Sequence, residues 1–258
     1  MNSTISRLTK TILINIRTWI LKPLSRKFDF IQRKEAIDLL CELPSFRSEL
    51  IPIANRSNAQ RKQDIFVLNH LGLKRGGYFV EFGACDGKMH SNTFLLEKDF
   101  QWRGILCEPA SGWHNQLKSN RNCIIETKCV WHTSGISLDF NEVPILELST
   151  IDTYSKIDRN KYQRVGGKVY PVETISLSDL LKKHNAPAVI DFLSIDTEGS
   201  EYDILKSFNF DIYKFQIICC EHNYGPNRQK IYDLLTKVNY RRVHTNISRW
   251  DDWYVSQN

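Results

Sequence analysis

Apolar and polar positions along this chain fall into short β-like runs separated by helical stretches. Tyr78-Phe79-Val80-Glu81-Phe82 is rich in strand-forming residues and follows a Gly76-Gly77 breaker, which predicts a first strand. Asn92–Phe100 continues as a helix, and Arg103-Gly104-Ile105-Leu106-Cys107 is a second apolar run ending at Glu108. Trp113–Ser119 predicts a helix and Cys123–Glu126 a third strand, with Val130-Trp131 after it. Leu177–His184 predicts a helix that leaves at Pro187, and Val189–Ile195 is the clearest buried strand. Phe215–Cys220 is the next strand and Asn227–Val238 the next helix. Tyr240–Thr245 and Trp253–Val255 form a last, antiparallel pair joined by Asn246–Asp252. Strands alternating with helices imply an α/β fold with a largely parallel sheet. The stretch Gly135–Pro171 breaks the rhythm. Its Gly166-Gly167 pair, scattered charges and weak periodicity predict an insertion with short antiparallel strands beside the active site.

The first predicted strand, turn, helix and second strand carry the most chemistry. Gly83-Ala84-Cys85-Asp86-Gly87 turns the chain, and glycine permits both positive φ and a close backbone approach. Glu108 stands about 20 residues beyond, where an acid hydrogen-bonds ribose hydroxyls in nucleotide-binding β-α-β units. A dinucleotide fingerprint, G-x-G-x-x-G with a pyrophosphate on a helix N-terminus, is absent. Glu81 and Asp86 flank the turn and would repel a pyrophosphate. They suit an ammonium or sulfonium charge, and S-adenosylmethionine has both together with a ribose. The alternative is an acidic turn that holds no ligand.

The motifs VEFGACDG, SNTFLLEK, WRGILCEP, TISLSDLL and FLSIDTEGSEYDILKSFNF, with the ending DDWYV, resemble the FkbM family of S-adenosylmethionine-dependent methyltransferases. The resemblance runs from about Gly76 to Val255, with Cys85 where the family commonly has Asn. It implies a Rossmann-like class I methyltransferase fold: a mostly parallel seven-stranded sheet with helices on both faces. Here that fold, residues 65–258, would follow an N-terminal helical extension over residues 1–64. The expected cofactor contacts are Glu81, Gly83, Ala84, Asp86, Gly87, Asn92, Glu108 and Asp196. The implied reaction is O-methylation of a hydroxyl on a glycan or a small-molecule natural product. A catalytically silent relative, serving in binding or trafficking, would be expected to lose Glu81, Gly83 or Glu108, and all three are present.

The later strands end in groups suited to proton transfer. Val189–Ile195 leads into Asp196-Thr197-Glu198-Gly199-Ser200-Glu201, at the sheet edge where open α/β sheets bind ligands. Phe215–Cys220 leads into Glu221-His222-Asn223-Tyr224, and an imidazole is a natural proton carrier near neutral pH. Asp196, Glu198 and His222 are therefore the candidate catalytic residues for activating an acceptor hydroxyl. Glu198 also has a simpler reading as a helix N-terminal carboxylate, and Glu201 reads as a solvated first-turn acid. Asp196, Glu221 and His222 could instead hold a divalent ion, although spacing alone assigns no metal ligand. Asp252 reads as a turn cap or a group facing the pocket.

Composition narrows the class. With 258 residues, 41% hydrophobic and 25% charged, the chain fits one globular α/β domain plus an extension. The net charge of +6 comes partly from the N-terminus, and no aromatic-basic signature for nucleic acid appears. The seven cysteines form no C-x-x-C pair or zinc spacing, which favours a reducing, cytoplasmic setting. Before Phe28 there is no acid, but there are Arg7, Lys10, Arg17, Lys22, Arg26 and Lys27. Residues 1–27 thus suggest a basic amphipathic helix that either touches an anionic membrane weakly or docks on the domain. Thr11–Leu24 is too short and, with Arg17, too charged to span a bilayer. Ala36–Leu43 continues as helix until Pro44, Arg56–Asp64 reads as solvated, and Ile65–Leu71 as the helix entering the first strand.

Overall fold

The computed structural model describes Leu39 and residues 49–258. The segment 1–27 and, Leu39 apart, the helix expected over 36–43 lie outside the described residues. Eleven strands follow in chain order: β1 (Tyr78–Phe82), β2 (Arg103–Cys107), β3 (Ile124–Glu126), β4 (Cys129–Trp131), β5 (Ser137–Glu142), β6 (Thr150–Ile151), β7 (Lys168–Ser176), β8 (Val189–Ile195), β9 (Lys214–Glu221), β10 (Tyr240–Val243) and β11 (Asp251–Ser256). The helices are α1 (Leu50–Ala54), α2 (Gln63–His70), α3 (Phe94–Phe100), α4 (His114–Asn120), α5 (Leu177–Lys183), α6 (Glu201–Lys206) and α7 (Arg228–Lys237).

Seven strands form one sheet in the order β10-β11-β9-β8-β1-β2-β3. Neighbours from β9 to β3 pair in parallel, and β11 runs antiparallel to both β10 and β9. The sheet is therefore mixed, its reversed strand entering where Asn246–Asp252 folds the chain back. The central strands bury both faces, so their sequences read as continuous apolar runs rather than as alternation. Phe79, Leu106, Phe192 and Ile217 pack with Phe66, Leu95, Leu96 and Leu117 on one face. Val80, Ile105, Leu193 and Ile218 pack with Leu180, Leu181, Ile204 and Leu235 on the other. Helices thus cover both faces. Asp191 sits inside β8 because Lys74 Nζ (2.6 Å), the Tyr78 backbone N–H (2.9 Å) and Gln216 Nε2 (2.5 Å) all donate to it.

The insertion does carry short strands beside the site, in a second sheet of order β4-β7-β5-β6. In it β5 is antiparallel to β6 and β7, while β4 pairs with β7 in parallel. Val130-Trp131 therefore belongs to the second sheet and not to the end of the first. Phe140, Ile151 and Val172 give this sheet its own small core with Ala110 and Cys129.

The expectation of a solvated Arg56–Asp64 is corrected. Asp64 is fully buried, and Arg61, Lys62 and Gln63 are nearly so. Their polar ends are satisfied inside the fold. Ser57 Oγ donates to Asp64 (2.7 Å), Lys62 Nζ to the Ser57 carbonyl (3.0 Å) and Arg61 Nη2 to the Ile247 carbonyl (2.8 Å). A polar run reads as solvated in sequence, but Ser57, Lys62 and Asp64 satisfy one another within it, and Arg61 and Gln63 find partners that are distant along the chain. The helix expected from Asn92 begins only at Phe94, because Ser91, Asn92 and Thr93 turn inward to Glu81.

Candidate active site

The carboxyl ends of β1, β2, β8 and β9 border a cavity of about 320 Å³. It lies where β1 is flanked by β2 on one side and β8 on the other, the point at which the chain switches direction across the sheet. Gly83 makes this geometry possible. Its φ is +69°, and a Cβ there would stand 1.8 Å from the Asp196 carbonyl oxygen. The turn after β1 and the end of β8 therefore touch backbone to backbone, which only glycine permits. The N–H groups of Gly83 and Ala84 both donate to the Cys107 carbonyl, at 3.1 and 3.3 Å. Cys85 then takes φ +49° and aims its own N–H at Glu108.

Glu108 is buried at the end of β2. It accepts from the Cys85 N–H (2.8 Å) with one oxygen and from the Ala110 N–H (2.9 Å) with the other. Burial raises its pKa to about 7, against the pull of those two donors. Glu81 is buried too and holds the segment before α3. It accepts from Ser91 Oγ (2.9 Å), the Asn92 N–H (2.7 Å) and Thr93 Oγ1. Asn92 lines the cavity, donates to Ser194 Oγ (2.9 Å) and has a buried Oδ1 with no partner. Behind these residues stands Arg121, whose side chain is wholly buried. Its guanidinium bonds Glu97 (2.7 Å), the Gly87 carbonyl (2.9 Å), Ser91 Oγ (3.1 Å) and Thr93 Oγ1 (2.9 Å), and lies 3.7 Å from Glu81. Sequence reasoning missed Arg121. A lone arginine in the polar stretch Asn120–Asn122 gives no local signal of burial.

Three carboxylates converge on the opposite side. Ligand oxygens of Asp196, Glu198 and Glu221 lie within 4.8 Å of one another, close enough to share a cation. The metal grouping considered from sequence joined Asp196 and Glu221 to His222, and Glu198 replaces the histidine here. Asp196 and Glu221 stand close enough to interact as a hydrogen-bonded pair, which lowers the proton affinity of Asp196 and raises that of Glu221. Burial, followed by the neighbouring carboxylates, holds all three well above the ordinary carboxylate range; the bond to Glu221 opposes this at Asp196 and Arg164 opposes it at Glu198. The buried Arg164 reaches over from the insertion. It bonds Glu198 at 2.6 Å and grips Asp158 bidentately at 2.8 and 3.0 Å. Asn223 donates to Glu221 (2.7 Å) and Glu198 (3.3 Å), and Arg159 in turn donates to Asn223 (2.9 Å). The insertion thus walls the site through its side chains. Arg159, Arg164 and Asn223 also escaped the sequence reading, since loop positions carry no periodic signal.

The cavity brings together Glu81, Gly83, Ala84, Asn92, Glu108, Asp196 and Glu198 of the expected residues. Asp86 and Gly87 are not on its wall. The Asp86 carboxylate accepts from the N–H groups of Lys88 (2.8 Å) and Met89 (2.7 Å), so it fixes the turn, and Gly87 packs against Leu117 and Arg121. His222 also stands off the cavity wall. Its Nδ1 accepts from the Tyr224 N–H (2.9 Å) and its Nε2 lies 3.6 Å from Asp252. Two acids depart from expectation. Glu201 is buried rather than solvated, because its carboxylate accepts from the N–H groups of Thr197 (3.0 Å) and Gly199 (3.0 Å). It ties down the turn that leads into α6, whose N-cap Ser200 makes no side-chain cap, and Glu198 pairs with Arg164 instead of capping. Asp252 is neither a turn cap nor on the cavity wall. It lies in β11 and binds Arg228 (2.8 Å) and Arg242 (3.0 Å), with hydrogen bonds that hold its pKa low despite burial.

The wall carries Glu81, Glu108, Glu147, Asp196, Glu198, Glu221 and Asp251, against Arg159 as its one Lys or Arg among the described residues. The cavity at the switch point of this open α/β sheet is thus lined by seven carboxyl groups and a single guanidinium. The model of the methyltransferase FkbM domain matches residues 81–247, and the chain belongs to that family. Among solved structures, a chain of the fibrillarin/NOP5P complex is similar with a TM-score of 0.32 and 10% identity, covering 69% of this chain and 71% of that one. No curated protein matches the sequence.

Proposed function

We propose that the chain is an S-adenosylmethionine-dependent O-methyltransferase of class I fold, acting on a hydroxyl of a glycan or small-molecule acceptor. The observation that carries this reading is the cavity's sign of charge beside an anchored Glu108. The acids fit a ligand with sulfonium and ammonium charges, and would repel a pyrophosphate. When bound, S-adenosylmethionine would supply an electrophilic methyl group. Glu108 would hold the ribose, since its two backbone donors leave each oxygen a further lone pair. The orphaned Asn92 Oδ1 offers one more acceptor to the cofactor. Gly83 and Ala84 would let the ligand approach the backbone.

Asp196 is the proposed base. It lies at the end of β8 on the cavity wall, and burial has lifted its affinity for protons toward neutrality. The charges of Asp251, Glu201 and Glu81 raise it further, while Arg164 and Asn223 hold Glu198 and Glu221 in place. Titration calorimetry on wild type and Glu108→Ala tests the cofactor. Loss of the ribose bonds should weaken S-adenosylmethionine binding by about 1.5–3 kcal/mol. Equal affinity, or preference for NAD, would remove the assignment.

A further inference from the structure

We infer that Trp250 and Gln60 form the acceptor platform, and that it takes a neutral, polyhydroxylated ring such as a pyranose. This inference rests on the methyltransferase reading and goes beyond it, because these residues lie outside the matched span 81–247.

Both residues border the same cavity as Asp196. Their wall is built from the two ends of the described chain. The Ala59 backbone bridges in parallel to His90, which fixes the segment before α2 against the loop after β1. Arg61 bonds the Ile247 carbonyl and places its guanidinium 5.5 Å from the centre of the Trp250 indole. Trp250 Nε1 donates to Gln60 Oε1 at 3.2 Å, and Gln63 donates to Asp251 at 2.5 Å. The Trp250 carbonyl accepts from the N–H groups of His222 (2.8 Å) and Asn223 (3.2 Å). The indole is thereby tied to the strand end that carries Glu221, next to the proposed base.

The chemistry of this wall is mixed in a particular way. An indole gives a flat apolar surface, and Gln60, Asn160, Asn223 and Asp251, which line the same cavity, hydrogen-bond. A pyranose has matching parts, an apolar C–H face and a rim of hydroxyls. A purely apolar acceptor would leave the polar groups facing carbon, which they penalise strongly. The tie between Gln60 and Trp250 also explains why a polar segment before α2 is folded inward.

The test uses the full chain loaded with S-adenosylhomocysteine. The probes are methyl α-D-glucopyranoside, methyl α-D-mannopyranoside and methyl α-L-rhamnopyranoside, followed by saturation-transfer NMR. At least one glycoside should bind through its ring C–H protons. Trp250→Ala should raise its Kd about tenfold or more, and Trp250→Phe should restore most of the affinity. Gln60→Ala, on the partly exposed side of the wall, should weaken binding about threefold and carries the test if Trp250→Ala does not fold. S-adenosylhomocysteine affinity should stay unchanged in all three variants. Absence of glycoside binding to the loaded protein, or an unchanged Kd in Trp250→Ala or Gln60→Ala, overturns the platform alone. Failure of wild type to bind S-adenosylhomocysteine overturns the methyltransferase reading beneath it.

Discussion

Replacing Glu108 by Gln should change how stability depends on pH, and not merely its level. In the folded protein Glu108 titrates near 7, against 4.5 ordinarily, because burial disfavours its charge. The folded state therefore binds this proton more tightly than the unfolded state. The stabilisation is complete below about pH 4.5 and is lost as pH rises through 7. Between pH 5 and 8 the ligand-free wild type should lose about 2–3 kcal/mol from this group. Glutamine stays neutral throughout, so the variant escapes that loss. At pH 5 it has a different defect. The backbone N–H groups of Cys85 and Ala110 each point at one carboxyl oxygen, and a carboxamide must turn its NH2 toward one of them. That costs about 1–3 kcal/mol. The variant should thus be the less stable protein at pH 5 and should equal or exceed wild type at pH 8. Urea unfolding followed by circular dichroism at pH 5, 6, 7 and 8 measures the difference. A gap that does not change with pH would refute the reasoning, since it would mean that Glu108 is already ionised in the fold.

Three further outcomes follow from the same structure. Arg121→Met removes a buried cation facing Glu81 and Glu97 and should destabilise by about 3–5 kcal/mol in urea unfolding, with a loss below 1 kcal/mol contradicting its central role. Asp196→Asn should lower turnover about 100- to 10,000-fold in a labelled-methyl assay while His222→Gln stays within a few-fold of wild type, because only Asp196 lies on the cavity wall. Equal losses in both would return His222 to the chemistry. Activity should survive EDTA, since Arg164 already supplies Glu198 with a cation; loss on chelation with recovery on magnesium would make the triad a metal site.

The local sequence by itself determined the elements and one half of the cavity. Apolar runs such as Val189–Ile195 are long enough and bounded clearly enough to give strands almost to the residue, because burial on both faces keeps polar positions few, here Asp191 and Ser194. Gly83 and Glu108 were legible because a turn that touches another backbone and an acid at the next strand end are requirements that act within one β-α-β unit. The other half arose only on folding. Glu198, Glu221 and Arg164 are separated by loops and an insertion, and their pairing is a matter of which strand ends the sheet order brings together. The same holds for His222, which sequence placed beside Asp196 and the fold turned toward Asp252. The polar run Arg56–Asp64 looked like a solvated linker because the Ile247 carbonyl and the Asp251 carboxylate that satisfy it lie nearly 190 residues away. Hydrogen-bond satisfaction of buried polar groups is a long-range property. Periodicity records which side chains are apolar, but only the tertiary structure decides which polar ones meet.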